Sequence, residues 1–385
     1  MKKFLPLATL ALGLLSPLQG ADSLLDAIKE GEPTFQLRLR YESVDTDPNT
    51  DKYALLARTA IGYKTGSYKG FSSYMQLEDV STLANEDAYY PTILDPEGGD
   101  VNMSYLQYEN GSISVIAGRQ TIIHDKARHI GNVGWRMNDQ TYDAVTGKYT
   151  DGSFSFSLSY IWQVNRITAI EDDSENILAR GEYKASIGLF SAYYYGLDFE
   201  TTNAGFGDAV DSDTYGLRLN GSQKSFLYTA EFASQSDGSD NATKYDADYI
   251  HAMLGYKFEL VTLKVGYESL GSDNGTASFS TPLATVHAYN GWSDRTLSLT
   301  PAMNANGIID TYLSLGGKVG GVKLLGTYRT LESDFGGTDL GKETDLLAIY
   351  KTKPGVVLGA KAAMFDSDTA NNDTTKFWIW SEYKL

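Results

Sequence analysis

Large apolar side chains alternate with small or polar ones along most of this chain. Over residues 154–163, Phe154, Phe156, Leu158, Tyr160 and Trp162 fall on one face, with Ser155, Ser157, Ser159, Ile161 and Gln163 on the other. A period of two marks a strand with two chemically different faces. In a soluble sandwich the apolar face would turn inward onto a packed core. Here that face carries large aromatics and the opposite face is small or polar. The pattern predicts a barrel standing in lipid, apolar outside and wet inside. No run of about 18 apolar residues follows the N-terminus, which excludes helical membrane spans.

Turn-like connections rich in Gly, Asn, Asp and Pro fall at 66–70, 110–111, 150–152, 184–186, 220–224, 258–260, 320–321 and 353–355. Long, acidic connections alternate with them, at roughly 43–52, 80–101, 121–140, 165–176, 197–212, 235–247, 271–307, 332–344 and 366–375. Eight turns and nine loops join about 18 strands. The predicted fold is all-β: a single transmembrane antiparallel β-barrel with short periplasmic turns and long extracellular loops. In the last strand Phe377, Ile379, Tyr383 and Leu385 share one face, and Trp378, Trp380, Glu382 and Lys384 the other. An apolar terminal residue on the lipid face resembles the recognition signal of outer-membrane proteins and makes the barrel-assembly machinery an expected partner. Tyr41, Tyr63, Phe71, Tyr108, Tyr160, Trp162, Tyr267 and Tyr350 sit near strand ends, where interfacial girdles lie.

Residues 1–21 read as a secretory signal, with Lys2 and Lys3 ahead of an apolar stretch and small Gly20 and Ala21 at the cut. Residues 22–33 form a short periplasmic segment with a helical turn or two, and 34–385 the barrel. A secreted barrel of this kind belongs in the outer membrane of a Gram-negative bacterium, among outer-membrane lipid and lipopolysaccharide. The chain has 385 residues and no cysteine, so it has neither a disulfide nor a thiolate metal site. Its net charge of -17 argues against nucleic acid as a partner.

With the apolar face outward, the opposite parity becomes the lumen. Arg38, Arg40 and Glu42 face inward in the first strand, followed by Arg58, Lys64, Glu78, Gln107 and Glu109. Arg218, Glu231, His251, Lys257, Lys264, Glu268 and Arg329 continue the set. A charge on the lipid face at mid-depth costs about 2–4 kcal/mol, so the lumen is the preferred place. Opposed Arg and Glu rows either set a transverse selectivity field or form a lattice that stiffens the wall. Arg119 is a misfit, because it shares parity with Ile113, Val115 and Ala117. Either a bulge at Gly118 re-aims it or it lies beyond the hydrocarbon band.

Several blocks carry a family resemblance. They are 27–34 (AIKEGEPT), 38–42 (RLRYE), Arg58 with 62–66 (GYKTG), 95–98 (DPEG) with 101–106 (VNMSYL), and 118–120 (GRQ). Arg128 with 131–136 (GNVGWR), 140–144 (QTYDA) and Asn165 with Arg166 complete them. Over about residues 27–166 the chain resembles the alginate-export-type porin family. The resemblance implies an 18-stranded outer-membrane channel in which Arg38, Arg40, Arg58, Arg119, Arg128 and Arg136 form a basic girdle. Gly131, Gly134 and Trp135 suit either a compact third loop folded inward as an eyelet or a surface loop packed on its own tryptophan; the resemblance favours the eyelet, carrying Gly131, Asn132, Gly134, Trp135, Tyr142 and Asp143. His124, Asp125 and His129 lie in the same loop. Two histidines without a fixed third ligand do not define a metal site, and no cofactor is called for.

The expected function is passive diffusion of small hydrophilic solutes, anionic or neutral, such as sugar acids and oligosaccharides. The alternative is export of an anionic polysaccharide such as alginate. An outer-membrane enzyme would need a Ser–His pair oriented by a third group, or an Asp/His site, and His124, His129, His251 and His287 sit in no such motif. An adhesin would need an apolar plug, against the charged lumen rows. The sequence leaves the oligomeric state open.

Overall fold

A computed structural model describes residues 20–46, 48, 50–85, 89–200, 207–238, 241–369 and 373–385. The predicted signal segment lies outside the described residues except for Gly20 and Ala21. Helix α1 (Leu24–Lys29) comes first, capped by the Ser23 side chain, which accepts from the Asp26 N–H. Strands β1 (Glu32–Thr46), β2 (Thr50–Lys64), β3 (Phe71–Ala84), β4 (Gly98–Asn110), β5 (Ile113–Gln120), β6 (Thr141–Asp151) and β7 (Phe154–Asn165) follow. Next come β8 (Glu171–Ala185), β9 (Gly188–Leu197), β10 (Ser212–Gln223), β11 (Phe226–Asp237), β12 (Asp246–Lys257) and β13 (Val261–Leu270). A small hairpin, β14 (Ser272–Asp273) and β15 (Ala277–Ser278), interrupts the wall. It is completed by β16 (Ile308–Val319), β17 (Val322–Glu332), β18 (Asp339–Lys351), β19 (Val357–Ser367) and β20 (Thr374–Lys384).

The 18 wall strands form one antiparallel sheet. β1 pairs with β20 from Gln36↔Lys384 to Thr46↔Thr374, so the sheet closes on itself and leaves no edge. The eight short turns lie at one end, with the start of β1 and the end of β20. The other end carries nine connections, and several of them are shorter than the acidic composition predicts, among them the β7–β8 connection, 166–170 against an expected 165–176. β1 and β2 are separated by residues 47–49, β17 and β18 by 333–338, and β19 and β20 by 368–373. Paired strands there run on past the lipid level, because a polar strand satisfies its backbone by pairing whatever its side chains are. Register shifts at Leu55/Leu56, Gln76/Leu77, Asp143/Ala144, Ile161/Gln163 and Leu331/Glu332 mark local bulges.

Alternation follows the predicted parity. In β7 the aromatic face is exposed to the surroundings while Ser159 and Ile161 are buried inside. Tyr63, Phe71, Tyr160, Trp162, Tyr267 and Tyr350 are exposed on the outside. Among the described residues the interior has three apolar seats, each occupied by a loop from the long-loop end. The third loop (121–140) brings Ile122 and Ile130 and the seventh (271–307) brings Phe279 and Leu283 onto Tyr142, Tyr193, Tyr195 and Tyr249. Tyr89 and Ile93 of the second loop (85–97), with Met137 of the third, fill the space against Val44, Leu56 and Val80. Trp135 and Trp292 pack on Trp378 and Trp380.

Candidate functional site

The third and seventh loops meet inside the barrel, where they dock on each other as well as on the wall. The Gly131 N–H donates to the Leu283 carbonyl at 2.8 Å, the Thr285 N–H to the Ala127 carbonyl at 2.9 Å, and the Val133 N–H to the Thr285 hydroxyl at 2.9 Å. Tyr142 and Gln140 side chains both donate to the Gly131 carbonyl, at 2.6 and 3.0 Å. A Cβ at Gly131 would stand 2.3 Å from the Ala127 Cβ and 2.6 Å from the Thr285 hydroxyl, so only glycine lets the two backbones approach this closely.

Arginines tie the loops to the wall. Arg128 is buried and meets Glu268 of β13 at 2.6 Å, with the Asn290 and Thr281 side chains on its other nitrogens and Tyr249 and Tyr289 beside its guanidinium plane. Arg136 reaches Asp294 of the seventh loop at 2.9 Å and Glu42 of β1 at 3.4 Å. Arg40 pairs with Asp95 of the second loop and donates to the Trp135 carbonyl at 2.5 Å. Arg58 holds Glu78 of β3 and, at 2.6 Å, Asp139 of the third loop. Arg38 pairs with Glu382 at 2.9 Å and donates to the Gly134 and Arg136 carbonyls. On the far wall Arg218 holds Glu231 at 2.8 Å, and Arg329 holds Asp310 and Asp345. Each of these arginines has a carboxylate partner, so the rows form a cross-linked lattice and their charge is locally neutralised.

A second centre lies where both loops touch β19 and β20. Trp135 stacks on His287 with ring centroids 5.1 Å apart and meets Trp378 and Trp380 edge to face. The Lys361 ammonium stands 4.1 Å from the centroid of Trp135 and 3.8 Å from that of Trp292, and 2.6 Å from His287 Nε2. His287 Nδ1 lies 2.7 Å from Asp294, which also binds Lys376 and Arg136, each at 2.9 Å. Burial pushes the His287 pKa down to about 3. The ring is therefore neutral, its Nδ1–H donating to Asp294 and its Nε2 accepting from Lys361. Burial disfavours the Asp294 charge, but His287, Lys376 and Arg136 outweigh it and hold that carboxyl well below its ordinary range.

Two predicted members stand elsewhere. Arg119 is in continuous register with Ser104 and Asp143, and no bulge intervenes at Gly118. Tyr142 and Ala144 are the buried, inward neighbours of Asp143, so Arg119 and Asp143 face outward together. They pair at 2.8 Å near the loop end, with Asp100 and Glu171 alongside. Arg119 thus keeps its outward parity and is matched by acids, outside the lumen rows and the eyelet. Glu109 is exposed near the turn end, and Lys264 is half-buried on the inward face of β13. Asn132 closes the third loop through its carbonyl, which accepts from Gln140 N–H at 2.7 Å. His124 meets the Tyr195 hydroxyl, Asp125 the Arg180 guanidinium, and His129 both Glu231 and Tyr193.

Sequence reasoning missed the seventh loop. Its signal was present: Phe279, Leu283, Ala284 and Trp292 are more apolar than a solvated loop needs. Trp378 and Trp380, on the lumen parity, likewise call for a docking partner inside.

Among solved structures, Pseudomonas aeruginosa OccK9 (OpdG) matches with a TM-score of 0.75 at 14% identity, over 93% of this chain and 99% of that one. Acinetobacter baumannii OccAB2 matches with a TM-score of 0.72 at 14% identity, over 94% and 99%, and OccAB4 with 0.71 at 14%, over 92% and 98%. None of the curated proteins matches in sequence. The family model for alginate export matches residues 34–293. With that match spanning most of an 18-strand barrel, the chain belongs to the alginate export family and has the build of an outer-membrane porin channel.

Proposed function

We propose that this chain is a porin of the Gram-negative outer membrane that passes small hydrophilic solutes, anionic or neutral, by diffusion. Sugar acids and oligosaccharides fit this class. The reading is carried by the polar, charged seam along which two loops fold into the barrel and narrow it. A constriction lined by ionised and amide groups sieves by size and charge. Export of a polyanion such as alginate is the second reading, favoured by the family. The pairing of Arg38, Arg40, Arg58, Arg128 and Arg136 with carboxylates favours small solutes, because it leaves these arginines no uncompensated charge for a polyanion. Transport rather than catalysis fits the histidines, which all have structural partners, His251 with the Tyr312 hydroxyl included. On this reading residues 22–33 lie on the periplasmic side, lipopolysaccharide surrounds the wall and the barrel-assembly machinery is the insertion partner.

The test is the reversal potential of the refolded mature chain in a planar bilayer under a salt gradient, followed by block of the current with sugar acids. Anion preference and block by a sugar acid are expected. Strong cation preference would overturn the anionic part of the reading, and a folded barrel that never conducts would overturn diffusion.

A further inference from the structure

Five adjacent wall strands each carry one inward-parity lysine near the turn end. They are Lys257 of β12, Lys264 of β13, Lys318 of β16, Lys323 of β17 and Lys351 of β18. No register shift separates β12, β13, β16 and β17 from one another, so the parity that buries Glu268, Asp310 and Arg329 inside carries through to these lysines. All but Lys264 are exposed. Among the described residues, lysine ion pairs form at Lys244, Lys376 and Lys384, and at none of these five. Lys318 and Lys323 are direct register partners, an arrangement that costs stability. Glu259, in the turn between β12 and β13, is the carboxylate at this level of these strands.

The loop ends of the same strands are acidic, with Asp246 and Asp248 on β12, Glu332 on β17 and Asp339 on β18. The net charge of -17 therefore hides an axial gradient, acidic at the loop rim and basic at the turn mouth on this side. Neighbouring strands lie about 4.8 Å apart, inside a Debye length of about 8 Å at physiological salt, so the lysine charges reinforce one another. Low-dielectric walls focus such a field and raise the local counter-ion concentration.

We propose that this lysine arc is an anion-capture surface at the periplasmic mouth, which concentrates small carboxylate- or phosphate-bearing solutes there and makes conduction asymmetric. The inference rests on the porin reading above and adds where the uncompensated positive charge lies. Current is larger when the voltage drives anions in through the lysine mouth, because that polarity fills the lumen with counter-ions from both rims.

The test compares the full mature chain with a variant carrying Lys257→Gln, Lys264→Gln, Lys318→Gln and Lys323→Gln, both inserted from one side of a planar bilayer. Heat-modifiable migration checks folding. In about 0.1 M KCl the wild type is expected to rectify. In 1 M KCl, where the Debye length is about 3 Å, the asymmetry should vanish. The variant should rectify clearly less than the wild type in about 0.1 M KCl, the acidic rim alone remaining, and Lys52→Gln with Lys244→Gln, at the opposite rim, should leave rectification in place. Equal rectification in wild type and lysine variant overturns the arc. A wild type that prefers cations, yet rectifies clearly more than the variant, keeps the arc and overturns the anionic porin reading instead. If the wild type is silent, calorimetric titration of tripolyphosphate onto the detergent-folded barrel decides. Binding about tenfold weaker in the variant supports the arc, and equal binding overturns it.

Discussion

At the residue scale, the lumen charges differ in how much hangs on each. Arg128 is buried with Glu268, and removing one partner of a buried pair leaves the other charge uncompensated, at a cost of roughly 3–5 kcal/mol. Arg128→Ala should therefore loosen the third loop, read as a lower melting temperature and noisier single-channel current. An unchanged melting profile would show that the pair contributes nothing to docking. Arg38 is the cleaner probe of selectivity, because its partner Glu382 is also held by Lys384 at 2.9 Å. Arg38→Gln should shift the reversal potential toward cations and leave heat-modifiable migration intact. Strand parity alone placed Arg38, Arg40, Arg58, Arg218, Arg329, Glu231 and Glu268 on the lumen side. The same parity pointed Arg119 outward, where the structure has it, against the place in the basic girdle that the family block implied. Asp143, assigned to the eyelet from the family block, was misplaced because a block of sequence does not say which way its alternate residues turn.

At the element scale, the two inward loops behave as one docked unit. A β-branched side chain at Gly131 cannot be fitted between Ala127 and Thr285. Gly131→Val should part the loops and raise single-channel conductance, while Gly134→Val, whose Cβ would come no closer than 3.1 Å to any group, the nearest being the Asn132 amide, should have a smaller effect. Acid should part them as well. His287 is held neutral in the docked state with a pKa of about 3, against about 6.5 when free, so the undocked loop binds more protons between those values. Docking strength is full above about pH 6.5 and falls by roughly 1.4 kcal/mol per pH unit below it. Asp294, with its lowered pKa, acts in the same direction at lower pH. Because Trp135 and Trp292 leave an apolar seat on undocking, their fluorescence should shift to longer wavelength on acidification. A flat emission profile from pH 7 to 4 would sink this account of His287.

At the scale of the whole molecule, closure and filling are separate matters. The wall closes through β1 and β20 into a continuous ring of paired strands, so it should keep its heat-modifiable fold when the inner loops are cut back. Excising residues 276–304 should leave that fold in place and enlarge the conductance, since the excised segment bears on the third loop and on β19 and β20 inside the barrel. Loss of the barrel in this variant would mean that the seventh loop is needed for the wall itself. The apolar clusters under each loop explain why the interior is not simply water-filled, as alternation alone suggested.

The sequence by itself determined the strand number, the closure into a barrel, the two ends and the facing of nearly every wall residue. Those properties are local: a period of two and the chemistry of turns act over a few residues, and lipid enforces them everywhere on the wall. Only the tertiary structure decided that two loops turn inward together, that the lumen arginines are neutralised, and that four tryptophans gather around Lys361 and His287. Each of these depends on pairs such as Arg128 with Glu268 or Trp135 with Trp378. Their members lie far apart along the chain, and the curvature of the closed wall brings them together.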